Sequence, residues 1–200
     1  MDVSLILYAE HEFNASTFTA RVVASTQSDI YSAITAAIGA LKGPLHGGAN
    51  ERAIEVLQEV PSAEVAEEWV RDALAKKRRI MGFGHRVYKD GDPRAVLLRE
   101  HCRRLAEESG SLELEQIADT IEAHVRAEKG LPPNLDWPSA RLYHYMGLPV
   151  ELYTPLFVAS RVVGWAAHFI EQTENNRLIR PRSNYTGPKE RKFVPLRDRG

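Results

Sequence analysis

The longest apolar stretch of this chain runs from Pro155 to Ile170 and carries an arginine, Arg161, near its middle. It falls short of the ~20 residues that a membrane span needs, so it reads as a buried helix of a globular core. A guanidinium taken into such an interior costs several kcal/mol unless an anion pairs with it. The chain must therefore pack other elements around this segment. It must also place beside Arg161 either an internal Asp or Glu or a bound carboxylate.

Helical periodicity dominates the rest of the chain, and strand-like alternation is nearly absent. Asp29 to Leu41 is rich in Ala and Ile and stops at Lys42-Gly43-Pro44. Asn50 is read as the cap of a segment to about Glu59, and Ser62 with Glu64 opens another through Lys76. Asp92-Pro93 starts a helix to about Ser109 with proline at its first position, and Leu112 to Lys129 follows, stopped by Gly130. Asn134 to Met146 and Glu151 to about Thr173 complete the helices, leaving a tail with Pro181, Pro188 and Pro195. Short strand pieces are expected only near Ile80-Met81-Gly82 and Phe193-Val194. The fold class is all-α.

With 200 residues the chain can bury a sizeable core, and its 44% hydrophobic and 26% charged content is that of an ordinary globular protein. A formal net charge of -1 argues against a general nucleic-acid binder, which carries a basic excess. The single cysteine, Cys102, rules out a disulfide framework and a cysteine metal site and fits a reducing compartment. The apolar run between Asp2 and Glu10 is too short for a secretory leader, so a cytoplasmic location is expected. Apolar segments at both ends enclose a charged, amphipathic middle, which suggests one helical layer built from both ends with a smaller domain inserted between.

Two of the seven histidines sit in glycine-rich elbows, Gly43-Pro44-Leu45-His46-Gly47-Gly48 and Gly82-Phe83-Gly84-His85. Glycine beside a polar side chain permits backbone geometry and close ligand approach that a Cβ would block. The pattern alone leaves each imidazole open to a site role or to a capping or core role. His11, flanked by Glu10 and Glu12, reads equally as a surface residue oriented by its neighbours; His101 and His124 read as partly solvated helix residues. No helix carries two histidines at a metal-ligand spacing, so no metal is expected. Asp136 opens a helix, where an aspartate is ordinarily a first-turn residue, and becomes a candidate base only if the fold places it in a cleft. Arg94 and Arg180 stand at element ends from which a side chain can reach a ligand, and arginine's rigid fork suits carboxylates. Neither a phosphate-cradling G-x-G-x-x-G after a strand nor a G-x-S-x-G hydrolase elbow is present. Arginines holding a di- or tricarboxylate while histidines and an aspartate manage protons is the scheme that remains.

Six segments carry a resemblance: LYAEHEFNASTFTAR (7 to 21), GALKGPLHGGANE (39 to 51), MGFGHRVYKDGDPRA (81 to 95), PNLDWPSA (133 to 140), TPLFVASRVVGWAAHFIEQ (154 to 172) and IRPRSNYTGP (179 to 188). In this order they resemble the C-terminal half of the citrate synthase family, most closely its 2-methylcitrate-forming branch. The resemblance implies a partial large helical domain (residues 1-51 and 153-200) with an inserted small helical domain (52-152). It implies condensation of propionyl-CoA or acetyl-CoA with oxaloacetate, then thioester hydrolysis, with coenzyme A as part of a substrate and no cofactor. Asp136 would take the α-proton, His46 would hydrogen-bond the thioester oxygen and His85 the oxaloacetate carbonyl. His11, Arg94 and Arg161 match oxaloacetate-binding positions, and Arg180 one that reaches into the partner's site of a homodimer. Met81, Gly82, Phe83, Gly84 and Asn134 match the coenzyme A pocket. Family members are about twice this length, so a non-catalytic homologue that binds dicarboxylates or serves as an assembly partner is the alternative.

Overall fold

A computed structural model describes residues 1–199. Nine α-helices run in chain order among the described residues: α1 (Asp2–Ala9), α2 (Ala15–Ser25), α3 (Ile30–Leu41), α4 (Ala49–Gln58), α5 (Ala66–Ala75), α6 (Pro93–Ser109), α7 (Leu112–Lys129), α8 (Asp136–Tyr145) and α9 (Tyr153–Glu174). No strand forms among them. Where strand was expected at 80–82, Gly84 N–H donates to Pro132 O and Asn134 N–H to Gly82 O, an isolated bridge between two loops. The piece at 193–194 lies in the exposed tail.

The helix ends follow local chemistry. Asp29 accepts from Ser32 N–H to cap α3, Asn14 accepts from Thr17 N–H to cap α2, and Pro93 opens α6 behind Asp92. Gly110 and Gly130 end α6 and α7 in the left-handed region, which satisfies carbonyls that a Cβ-bearing residue leaves open at a cost. Asn50 is not a cap: α4 starts at Ala49 behind Gly48, and Asn50 is fully buried inside the first turn. The G-G pair before it lets the elbow pack close to the end of α3, where a Cβ on Gly47 would overlap Leu41 and one on Gly48 would crowd the Lys42 carbonyl.

Two sets of helices pack around the long α9 and the short α8. Helices α1, α2 and α3 lie on α9, while α6 and α4 lie on α8 and α7 covers α5 and α6. On α9 the buried residues Tyr153, Phe157, Ser160, Arg161, Gly164 and Trp165 recur at three- and four-residue steps, so one face enters the core. The other face carries Val163 and Ile170, exposed along with Ile6 and Phe18. The stretch is thus buried on one side only, a correction to the fully buried helix expected of it. Gly164 admits the C-terminal end of α1: a Cβ there would overlap the Ala9 carbonyl. That close approach brings the Tyr8 carbonyl to 2.5 Å from Arg161 Nε. No described helix is long and apolar enough to cross a membrane.

Candidate active site

A cavity of about 830 Å³ opens between the two sets of helices. Each set delivers side chains from an element end. The end of α1 and the turn after it bring Tyr8 and His11; the elbow before α4 brings His46; the loop before α6 brings residues 79–87; α8 begins with Asp136. Arg94 enters from the first turn of α6, and Phe157 and Arg161 from α9. Residues 128 positions apart in the chain thereby come within hydrogen-bond distance.

The two elbow histidines are held as opposite tautomers. Ser16 N–H donates to His46 Nε2 at 3.3 Å, and Ser16 Oγ lies 2.8 Å from the same nitrogen. A backbone donor needs a lone pair, so the ring proton belongs on Nδ1. At His85 the N–H groups of Val87 and Tyr88 donate to Nδ1 at 3.0 and 3.2 Å, which puts the proton on Nε2. Burial and the Arg161 charge push the His46 pKa down to about 4, and burial with the Arg94 charge lowers that of His85. His11, whose Nε2 meets Tyr88 Oη at 3.1 Å and whose ring lies edge-on to His85 at 5.2 Å, is pushed down to about 4 by burial and by Arg94. All three therefore stand as neutral imidazoles at neutral pH.

The cations demand an anion. Arg161 is 2% exposed; its Nε donates to Tyr8 O, its guanidinium covers the Phe157 ring, and its Nη1 is buried with no hydrogen-bond partner. Burial and the neighbouring Arg94 charge lower its pKa to about 10, still well above neutrality. Of the two partners expected for it, no internal carboxylate makes an ion pair with it among the described residues. Arg94 is held by Asp92 through Nε–Oδ1 and Nη2–Oδ2 contacts of 3.0 and 2.8 Å. Asp92 is itself buried, and Leu135 N–H also donates to it, so this carboxylate ties the start of α6 to the start of α8. Asp136 accepts from Tyr8 Oη at 2.7 Å, and burial nevertheless pushes its pKa up to about 6. An unpaired guanidinium beside a carboxyl of raised proton affinity and three uncharged imidazoles can hold a small carboxylate and exchange protons with it.

Met81, Gly82, Phe83, Gly84 and Asn134 line the same cavity. Asn134 Nδ2 donates to Gly84 O at 3.0 Å, and Gly82, at φ +91°, lies so close to Trp137 that a Cβ would come within 2.8 Å of Cε3. Arg79, Arg86 and Lys89 make the opening basic. Arg180 is not brought here: it lies in the exposed tail, where its guanidinium donates to Pro181 O. Ser16, Tyr88, Asp92 and Ser139 were not singled out by sequence patterns, because each works through a partner far along the chain or as an ordinary cap. Among the described residues, no group of three His, Cys, Asp or Glu side chains is placed to hold a metal ion.

The comparisons agree with this all-helical array. Residues 1–182 match the model of the citrate synthase C-terminal domain. The chain belongs to the citrate synthase family. It is 57% identical over 98% of its length to citrate synthase 2 of Bacillus subtilis, covering 53% of that protein. It is 51% identical over its whole length to the 2-methylcitrate synthase of Shewanella oneidensis, again covering 53%. Among solved structures, the citrate synthase of Thermoplasma acidophilum, captured as a ternary complex with carboxymethyl coenzyme A and oxaloacetate, superposes with a TM-score of 0.91 at 47% identity. That match covers 98% of this chain and 54% of the solved one. The chain thus spans about half the length of the curated relatives it matches.

Proposed function

We propose that this chain carries the chemistry that joins an acyl-CoA to oxaloacetate. The observation that carries the reading is Arg161, buried with Nη1 unpartnered in a cavity that also holds Asp136 and two neutral histidines of opposite tautomer. Arg161, Arg94 and His11 hold the carboxylates of oxaloacetate. The Asp136 carboxylate removes a proton from the α-carbon of the acyl group, and a base with a pKa of about 6 is largely ionised at neutral pH. His46 Nδ1–H donates to the thioester oxygen as the enolate forms. Neutral imidazole suits this step because it gives a hydrogen bond without delivering a full proton. The α-carbon then attacks the oxaloacetate carbonyl carbon, the alkoxide takes the proton of His85 Nε2, and the proton held by Asp136 returns to that imidazole through water. Water hydrolyses the resulting thioester, releasing coenzyme A and a tricarboxylate.

Met81, Gly82, Phe83, Gly84 and Asn134 receive the coenzyme A portion, with Arg79, Arg86 and Lys89 near its phosphates. Both propionyl-CoA, giving 2-methylcitrate, and acetyl-CoA, giving citrate, are acyl donors in this reading. One methylene is worth about 1–3 kcal/mol in a pocket, so preference is a matter of degree. Residues 52–152 act as a smaller domain that closes over the substrates. The working form is a cytoplasmic homodimer in which Arg180 reaches the partner's site.

Release of coenzyme A from propionyl-CoA or acetyl-CoA in the presence of oxaloacetate tests the reading. Turnover that Asp136→Asn lowers by at least about a thousandfold is the expected result. Oxaloacetate binding by calorimetry without turnover from either thioester would instead make the chain a dicarboxylate-binding homologue.

A further inference from the structure

Between α1 and α8 lies a polar contact that the proposed mechanism does not use. Tyr8 is 2% exposed, yet its phenol oxygen is 2.7 Å from Asp136 Oδ1 and 2.6 Å from Ser139 Oγ. A phenol has one proton and an ionised carboxylate has none, so the phenol donates to Asp136. Ser139, fully buried one turn along α8, has its hydroxyl 2.6 Å from the phenol oxygen and 3.3 Å from the Asp136 backbone carbonyl, and the shorter contact takes its single proton. The order Ser139 to Tyr8 to Asp136 uses each proton once.

Both ends of Tyr8 are fixed. Arg161 Nε donates to its backbone carbonyl at 2.5 Å, and its ring packs on Phe157 with centroids 4.2 Å apart. The phenol therefore cannot swing away without breaking its packing on Phe157, the ring that the Arg161 guanidinium covers. Its bond holds Asp136 Oδ1, so Oδ2 is the oxygen left without a hydrogen bond among the described residues.

We propose that Tyr8 is a positioning residue for Asp136: its hydroxyl fixes the carboxyl rotamer and aims Oδ2 at the substrate. This rests on the reading of Asp136 as the base. Burial raises the proton affinity of Asp136, and the Tyr8 hydrogen bond is the largest influence opposing it, ahead of the Arg94 and Arg161 charges, while Asp92 acts with burial. The other titratable groups facing it are His11, His46 and His85 across the cavity and Tyr143 on α8. The imidazoles are uncharged, which leaves the phenol and the two guanidiniums to support the carboxylate.

The experiment is a carboxyl titration of the whole chain labelled with ¹³C-aspartate, the Asp136 resonance being assigned by its loss in Asp136→Asn. In Tyr8→Phe, which keeps the ring contact with Phe157, the midpoint of Asp136 is expected to rise by about one pH unit. Replacing Tyr8 with a fluorotyrosine makes the phenol a stronger donor at nearly unchanged shape and is expected to lower the midpoint. That second variant decides the matter where Tyr8→Phe does not fold. A midpoint unmoved in the fluorotyrosine protein overturns the proposal. So does a Tyr8→Phe enzyme whose kcat falls equally at every pH, with its acid limb in place. The titration needs no turnover, so an inactive chain would sink the functional reading and still leave the role of Tyr8 decided.

Discussion

The elbows around His46 and His85 use the same residue types to opposite ends. Before α4, the imidazole reaches back to the first turn of α2, and Ser16 takes Nε2. Before α6, the ring folds onto its own loop, and the N–H groups of Val87 and Tyr88 take Nδ1. One histidine is held by a distant helix and the other by its immediate neighbours. The free N–H is Nδ1 in the first and Nε2 in the second. A backbone amide cannot accept, so it selects the tautomer as well as the orientation. Burial keeps both rings uncharged, and two donors can then serve two different oxygens in one cavity.

The widest separation between the elbows is expected from His46→Gln and His85→Gln. Each should cost about 10²–10³ in kcat, the range for loss of one donor to a developing oxyanion. Their binding phenotypes should differ. His46→Gln should leave oxaloacetate affinity near that of the parent, because in the proposed reaction that residue serves the thioester. His85→Gln should weaken oxaloacetate as well. Calorimetry with oxaloacetate beside steady-state rates checks this, and equal oxaloacetate affinities in the two variants would erase the division of labour.

The glycines offer a second contrast, of smaller size. At Gly47 a Cβ would meet Leu41 Cγ at 2.5 Å and Leu41 O at 2.8 Å, a purely steric conflict. At Gly82 it would meet Trp137 at 2.8 Å, and the backbone there, at φ +91°, is one that L residues rarely adopt. Overpacking alone costs about 1–3 kcal/mol, and the conformational penalty adds about 1–3 kcal/mol more at Gly82. Gly82→Ala should therefore lower Tm further than Gly47→Ala, by several degrees, in thermal melts of both proteins. Trp137 follows Asp136, so only Gly82→Ala is expected to disturb the site carboxyl.

The same contrast explains what was legible in the sequence. Arg161 announced its own need, since a lone guanidinium in an apolar run admits few explanations, and the buried, unpartnered Nη1 is the physical form of that need. Asp92-Pro93 marked the start of α6 because capping acts over two or three residues. The elbows announced flexibility but not tautomer: Ser16 is 30 positions from His46, and nothing in its own segment singles it out. Ser139 stayed hidden for the same reason, and Asp92 hid behind its capping role while also clamping Arg94 and α8. The segment 80–82 misled in the other direction. Ile80-Met81-Gly82 was read as a strand piece, but its loop finds one partner loop and pairs for a single bridge.

The finest distinction between the elbows is in the pH dependence of stability. The His46 pKa is pushed from 6.5 down to about 4 in the folded chain, so between those values the unfolded chain binds more protons. Stability therefore falls as pH drops from 6.5 toward 4. Asp136, raised from 3.8 to about 6, acts with the opposite sign: the folded chain is the more protonated one, and its contribution shrinks as pH rises through that window. A melt of the parent protein mixes the two and also includes His11, which shares the sign of His46. Comparison with His46→Gln removes the mixture, because Asp136 and His11 are common to both proteins. The parent should lose about 1–2 kcal/mol more than His46→Gln between pH 7.5 and pH 5. His85→Gln should differ from the parent in the same direction. A parent and His46→Gln pair whose stabilities run parallel across this range would mean that His46 titrates as it does in the unfolded chain. The first elbow would then lose the neutral donor that separates it from an ordinary surface histidine.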